Sequence, residues 1–415
     1  MPYISKRTET FTESVIREMT RRCAAVDGVN LAQGFPDFNP PEELIEAAIR
    51  AMRDGFNQYS ITWGSPRLRA AICDKVRSYN RIEADPDKNV TVTCGATEAM
   101  MSTLLAIINP GDEVVIFEPY YENYGPDAIV SGAKPVYVPM IEPDFTFDPE
   151  ALRAAFSDKT KAIIINTPHN PSGKVFSREE LELVSKLCNE YDVLVVTDEI
   201  YEHILYDGAE HISPASVPGL ENRTITISGL SKTYSATGWR IGYTIAPEPI
   251  TNAIRKVHDF LTVGAPAPLQ EAGVTAMQMP DTYYAKLAAF YQHKRDIICA
   301  ELAKVGFVPF IPKGAYYVLT DISAFGAQDD TEFAIRLVNE IGVATVPGSS
   351  FYSSGNAEHF RSLRGERDSI LCNRMRECSC HDSMRDLGRS KIRFAFCKTE
   401  ETLRRAIERL EKLSR

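Results

Sequence analysis

The sequence predicts an α/β protein. A large domain is expected on a mostly parallel, seven-stranded sheet flanked by helices. A smaller α+β domain is built from the C-terminal part and the N-terminal segment. Three observations lead there. Val/Ile-rich runs of strand length recur through the middle of the chain and mostly lack polar alternation, as strands buried on both faces do. Helical patterns separate those runs, the texture of a layered α/β unit. From about Asp281 the pattern changes to a long helix followed by short strands and a last helix.

The elements follow in order. Residues 1–49 hold "NLAQGFPDFNPP", too rich in Gly and Pro for a sheet element, and are assigned to the small domain. Residues 50–285 form the large domain. A strand ending at Val92–Thr93 is followed by "DEVVIF", "KPVYVP", "KAIIINTP", "DVLVVTDEI", "RTITIS" and "RIGYTIA". "SREELELVSKLCNEY" opens on Ser177 with Glu180 three residues on, a capping-box pattern that starts a helix. Residues 286–415 form the small domain, with strands in "KGAYYVLTDIS", "GVATVPGSSF" and "KIRFAFCK" and a final helix in "TEETLRRAIERLEKLSR". An Arg/Ser/Cys-rich insertion at about 356–389 has too few apolar residues to build a core of its own.

Bulk properties exclude several classes. The chain has 415 residues, 44% hydrophobic and 25% charged, with a formal net charge of −10. An acidic chain lacks the basic surface that displaces counterions from nucleic acid. No apolar run is long enough to span a bilayer, and "MPYISKRTETFTESVIREMTRR" has no apolar signal-like core. Nine cysteines show no framework, and Cys94, Cys188, Cys299 and Cys397 read as reduced core thiols. A cytoplasmic protein is expected.

Four stretches carry the chemistry. In "TCGATEAMM" a strand runs into Gly95-Ala96-Thr97 and a helix, whose N-terminal amides can converge on an anion. In "NTPHNPSGKV", Asn166 and Asn170 follow a buried strand, where a side-chain amide can meet a ligand. In "VVTDEIYEH", Asp198 ends an apolar strand, a costly place for a carboxylate without a cation, and Tyr201 follows. In "SGLSKTYSATGWRIGY", Lys232 sits among Ser231, Thr233 and Ser235, with Arg240 eight residues on. A buried lysine has a lowered pKa and serves as nucleophile or base. Each stretch alone has a plainer reading: a turn, an Asn-Pro bend, an N-cap or a surface lysine. Together they supply an anion cradle, an amide, a carboxylate and a lysine at the strand ends of one domain. Those are the parts that hold pyridoxal 5′-phosphate.

At these residues the chain resembles the class I aminotransferases of pyridoxal-phosphate fold type I, over nearly its whole length apart from the insertion. "SGLSKTYSATGWRIGY" and "NTPHNPSGKV" are its most specific motifs. The resemblance implies that Lys232 is the Schiff-base lysine and that Asp198 pairs with the pyridine nitrogen. It puts Tyr201 and Asn170 on the phenolic oxygen and stacks Tyr121 of "EPYYENY" on the ring. Gly95, Ala96, Thr97, Ser231 and Arg240 form the phosphate cup. Tyr59 reaches the phosphate of a neighbouring subunit, implying a homodimer with shared active sites. Arg393 of "KIRFAF" clamps the substrate α-carboxylate, with Gly34 and Asn170 beside it. One position departs from a common pattern: Gly229 stands where many members carry a serine phosphate ligand, for which a small change in the cup is expected.

The implied reaction is a ping-pong transfer from an amino-acid donor to a 2-oxo-acid acceptor. No Arg or Lys lies between His258 and Gln270, which disfavours aspartate, and the motifs are most similar to the kynurenine, methionine, glutamine and aromatic branch. A neutral or aromatic donor is expected. The rivals are an aspartate-type aminotransferase, a cysteine-conjugate β-lyase, a specialised biosynthetic enzyme with the same cofactor, and a cofactor-binding regulator. The insertion, lying between Phe351 and Arg393 in sequence, could border the active-site mouth as a lid or specificity element. Its Cys372, Cys378, Cys380 and His381 do not match structural zinc spacing, so no metal is expected. His169 and His203 are assigned packing or hydrogen-bonding roles.

Overall fold

The computed structural model describes residues 5–353 and 388–414. The strands in chain order are β1 Val29–Asn30, β2 Val90–Thr93, β3 Glu113–Glu118, β4 Lys134–Ile141, β5 Thr146–Phe147, β6 Thr160–Asn166, β7 Leu194–Asp198, β8 Thr224–Gly229, β9 Gly242–Ile245, β10 Val308–Pro309, β11 Tyr317–Asp321, β12 Val343–Ala344, β13 Val346–Pro347 and β14 Lys391–Ala395. The large sheet has the order β2-β9-β8-β7-β6-β3-β4-β5. Strands β8, β7, β6, β3 and β4 run parallel. Strand β9 is antiparallel to both its neighbours. The sheet has one strand more than the seven expected. The extra strand, β5, is a two-residue hairpin partner of β4, too short to leave a periodic trace in sequence.

The sheet is buried on both faces. Val115, Ile163 and Val195 pack into one apolar cluster, while Val114, Ile164, Val196 and Ile225 pack into another. Adjacent residues of one strand thus serve opposite faces, which is why these strands read as continuous apolar runs. Helix Arg178–Glu190 begins with both capping-box bonds, Ser177 with the Glu180 amide and Glu180 with the Ser177 amide.

The second sheet, β10-β11-β14-β13, packs with helix Asp281–Val305 and helix Glu400–Leu410 around a separate core. The long helix stops at Gly306, whose φ of 114° only glycine adopts cheaply. The N-terminal stretch corrects one expectation. Asn30, at the start of "NLAQGFPDFNPP", lies in β1, which pairs in parallel with β12. The Leu31 amide bonds the Ala344 carbonyl, and the Leu31 carbonyl accepts from the Ala395 amide. Helix Glu42–Arg53 instead packs Ala47 and Ala48 on Ala272 of helix Ala267–Met277. The insertion and its Cys/His cluster lie outside the described residues, apart from Gly388 and Arg389. Six cysteines among the described residues, Cys94, Cys188, Cys299 and Cys397 included, are free thiols. No helix of the described residues is long and apolar enough to cross a membrane.

A part-buried Glu98–His258 contact locks the start of helix Gly95–Ile107. Glu98 accepts from the Cys94 amide at 2.9 Å and faces the His258 ring at 3.0 Å, while His258 Nε2 lies 2.8 Å from the Thr62 carbonyl. Burial alone would lower the His258 pKa, but the Glu98 bond and charge outweigh it and raise the pKa. A raised histidine contributes stability that is fully present below its unfolded pKa of about 6.5 and is lost as pH rises through the folded pKa. Chemical denaturation of wild type and His258→Gln is expected to differ by about 2 kcal/mol at pH 6. The gap is expected to narrow as pH rises towards 9.

Candidate active site

Strands β6, β7 and β8 end side by side at Asn166, Asp198 and Gly229. Ligands of parallel sheets gather at such carboxyl ends. A cavity of about 180 Å³ opens there. Ten of the thirteen predicted site residues line it: Gly34, Ala96, Thr97, Tyr121, Asn170, Asp198, Tyr201, Ser231, Lys232 and Arg240. Arg393 lies one contact behind, bonded to Asn170. Gly95 sits under the Arg240 guanidinium. Tyr59 is not at the cavity; it is 87% exposed on the surface.

Lys232 is drawn into the protein. Its Nζ donates to the Gly34 carbonyl at 3.1 Å and lies 5.8 and 5.7 Å from the Tyr201 and Tyr316 ring centroids. Burial lowers its pKa to about 8, against the opposing pull of Cys397 and Asp198. At pH 7.5 about a quarter of such an amine is neutral, against about a thousandth for an ordinary lysine. The turn around it is strained: Ser235 and Arg240 take left-handed φ of 54° and 55°, uncommon without glycine.

Asp198 accepts from the Tyr124 hydroxyl at 2.8 Å and the Ile200 amide at 3.2 Å. Burial pushes its carboxyl up to about 6, although both bonds and Lys232 pull it down. No salt-bridge partner lies within reach among the described residues, so this buried carboxylate has room for a cation. Tyr201 shares a 3.0 Å hydroxyl contact with Tyr317.

Three glycines explain the cup. A Cβ on Gly242 would strike the Gly95 and Ala96 backbone, so its absence lets β9 meet the start of helix Gly95–Ile107. A Cβ on Gly95 would strike Arg240. A Cβ on Gly229 would come within 2.6 Å of the Ile241 carbonyl, so close β8–β9 packing excludes a serine there. The departure at Gly229 thus has a steric cause. Arg240 has one hydrogen bond, to the Thr237 carbonyl, and no ion pair among the described residues. A free cation beside a helix N-terminus and two hydroxyls, Thr97 and Ser231, suits a phosphate.

Arg393 is fully buried. It donates to Asn170 Oδ1 at 2.8 Å and to the Ala32 carbonyl at 2.6 Å, and stacks on Tyr317 and Phe351 at 4.2 and 4.8 Å. Because arginine only donates, the Asn170 oxygen must face it, which leaves the amide Nδ2 to the cavity. Arg393 Nε has no partner among the described residues, a donor that a carboxylate would satisfy. Gly34 has no space for a side chain, since a Cβ would fall on the Tyr317 hydroxyl.

Several lining residues escaped the sequence reading. Tyr124 holds Asp198, and its signal was its place three residues after Tyr121 at a helix start. Tyr317 covers Gly34 and Arg393. Asp127 is buried with Oδ2 unpartnered among the described residues, its carboxyl pushed up to about 8 by burial. Ser14 and Arg17 bring helix Val15–Ala25 to the cavity, where Ser14 hydrogen-bonds Glu122. His169 is buried against Ser172 at 2.7 Å and held neutral, burial lowering its pKa to about 3.

The model of the family "Aminotransferase class I and II" matches residues 26–410. The chain belongs to the class I and II aminotransferases. It is 35% identical to a probable N-succinyldiaminopimelate aminotransferase of Mycobacterium tuberculosis over 98% of each chain. It is also 35% identical to human kynurenine–oxoglutarate transaminase 1, over 95% of this chain and 94% of the relative. Among solved structures, an N-succinyldiaminopimelate aminotransferase from M. tuberculosis superposes with a TM-score of 0.89 at 34% identity, covering 99% of this chain and 100% of that one. An Escherichia coli protein with methionine aminotransferase function gives 0.87 at 32%, with the same coverage. This aminotransferase is therefore an enzyme of the transaminase type, from a family that uses pyridoxal phosphate and whose fold is α/β with a large mixed sheet.

Proposed function

We propose that this aminotransferase holds pyridoxal 5′-phosphate in the cavity and moves the amino group of a neutral or aromatic L-amino acid to a 2-oxo acid by a ping-pong route. One arrangement carries the reading. An amine lowered to about 8 shares a cavity with a buried carboxylate raised to about 6, and Arg240 lies at a helix N-terminus with no ion pair among the described residues. Lys232, Asp198, Tyr201 and Asn170 would hold the ring. Tyr121 would stack on it, and Gly95, Ala96, Thr97, Ser231 and Arg240 would take the phosphate. When bound, the cofactor supplies an aldehyde carbon for the amine and a ring that takes up the electron pair left by proton removal. Lys232 Nζ takes the substrate α-proton and later returns it. Asp198 keeps the ring nitrogen protonated. Arg393, with Gly34 and Asn170, orients the α-carboxylate.

The reading includes a homodimer with Tyr59 contributed across the interface. The exposed apolar side chains Tyr59, Ile61, Phe260 and Leu261, with Phe260 93% exposed, favour a partner surface. It includes the domain limits 1–49, 50–285 and 286–415, and a cytoplasmic location, favoured by the free thiols. Tyrosine rings along the cavity support a neutral or aromatic donor. A second reading, an aspartate-type donor, is favoured by Arg17, which lines the cavity and has no ion pair among the described residues.

The test is the visible spectrum of the purified protein with single amino acids and no acceptor. Fastest conversion of the cofactor to its amine form by neutral or aromatic donors supports the proposal. Fastest conversion by aspartate or glutamate establishes the second reading. Sustained keto-acid release without acceptor, from a cysteine conjugate, would make it a lyase. A pH dependence follows too. Only a neutral Lys232 amine could add to the cofactor's aldehyde, so reconstitution of cofactor-free protein, followed by stopped-flow absorbance, is expected to accelerate with pH and level off above about 8.

A further inference from the structure

The turn that follows β7 has two sides. Asp198 and Tyr201 face the cavity, while Glu199 and Glu202, 0% and 3% exposed, face a polar cluster behind it. Glu202 is bonded on three sides. Its Oε1 takes Lys75 Nζ at 2.6 Å and the Ser228 hydroxyl at 2.8 Å, and its Oε2 takes the Asn80 amide at 2.7 Å. Glu199 takes the Ser213 hydroxyl and faces His211 Nε2, both at 2.7 Å, and accepts from the same Asn80 amide at 3.1 Å. Lys75 also donates to Asn80 Oδ1 at 2.9 Å. The cluster therefore joins the end of helix Pro66–Lys75, the turn after β7 and strand β8.

That connection has a direction. Ser228 lies four residues before Lys232 on β8, so Glu202 grips the strand that delivers the lysine. Through its own backbone it fixes the turn that delivers Asp198 and Tyr201. Strand pairing sets Asp198 opposite Ile227, and one further backbone bond runs from the Glu199 amide to the Ile227 carbonyl at 2.8 Å. The Glu202 side chain adds a second tie between that turn and β8, through the Ser228 hydroxyl. Burial would raise the Glu202 pKa, yet the Lys75 ammonium bonded to it holds it below the usual carboxylate range, so the pair is ionic. Glu199, Glu202 and His211 lie close enough to suggest a metal, but the Lys75 ammonium is already the cation on Glu202. His203, kept neutral by burial, is sandwiched between the Tyr79 and Tyr284 rings at 4.1 Å each.

We propose that Lys75, Asn80 and Glu202 form a buried ionic brace that sets Asp198 and Tyr201 in register with Lys232, making Glu202 and Lys75 positioning residues for amino transfer. This rests on the reading that those three cavity residues hold the cofactor. The test uses the purified holoenzyme with Glu202→Gln and Ser228→Ala. The readouts are the visible spectrum of the bound cofactor, its dissociation constant, kcat and KM, and the unfolding temperature. Glu202→Gln is expected to lower kcat about tenfold with KM for the donor within twofold, and to shift the absorbance bands of the bound cofactor. Ser228→Ala is expected to do the same more weakly, with an unfolding temperature near that of wild type. Lower unfolding temperatures with an unchanged spectrum and kcat would overturn the proposal, leaving the brace a stabilising element only. If Glu202→Gln does not fold, Ser228→Ala decides by the same readouts. Absence of any chromophore in wild type would instead sink the cofactor reading itself.

Discussion

Lys232→Ala is expected to abolish turnover, with a loss of at least about 10⁴-fold in kcat at saturating donor. In the proposed function the lysine would have two tasks, addition to the cofactor aldehyde and transfer of the α-proton. A general base alone contributes about 10²–10⁴-fold. The cofactor should still bind, because Asp198, Arg240 and the N-terminus of helix Gly95–Ile107 are untouched. Its absorbance should be that of a free aldehyde. The cavity should survive too, since Lys232 makes one hydrogen bond, to the Gly34 carbonyl, and no salt bridge among the described residues. Steady-state kinetics and an absorbance spectrum of the variant check both halves.

Asp198→Asn is the second large effect. The substitution keeps size and shape but removes the charge that, in the proposed function, would keep the cofactor's ring nitrogen protonated. An electrostatic contact of this kind is worth about 10²–10³-fold in rate. In addition, the asparagine amide presents a donor where the carboxylate accepted from Tyr124 or Ile200. We expect kcat to fall by about 10³-fold, with cofactor affinity reduced and donor KM changed little. The variant has one more consequence. Removing a buried carboxylate whose pKa is raised by burial relieves a desolvation cost, so the cofactor-free variant should unfold at the same temperature as wild type or higher.

The legible part of this molecule is local. Each of Gly95, Asn170, Asp198 and Lys232 follows an apolar run, and a buried strand announces its own end by where the apolar residues stop. The capping box at Ser177 and Glu180 was readable for the same reason. What stayed hidden depends on contacts between distant segments. Ser14 meets Glu122, and Lys75 meets Glu202, across more than a hundred residues in each case. No periodicity records such pairs. Tyr124 was visible as a residue but not as the partner of Asp198. Gly229 was noticed as a departure, but its cause is the Ile241 carbonyl on the next strand. Strand β1 was missed because two residues between Gly28 and the Gly/Pro-rich stretch after Leu31 carry no pattern, and their partner among the described residues is β12. The place of Tyr59, 87% exposed, concerns a second copy of the chain and is a proposal.

The central claim is that Lys232 carries the cofactor. Borohydride reduction of the purified, cofactor-loaded protein, followed by peptide mass mapping, tests it most directly. Reduction fixes an imine irreversibly on the lysine that formed it. The expected result is one pyridoxyl-phosphate adduct, on the peptide containing Lys232. An adduct on a different lysine, or none in a protein that has bound the cofactor, would contradict the claim.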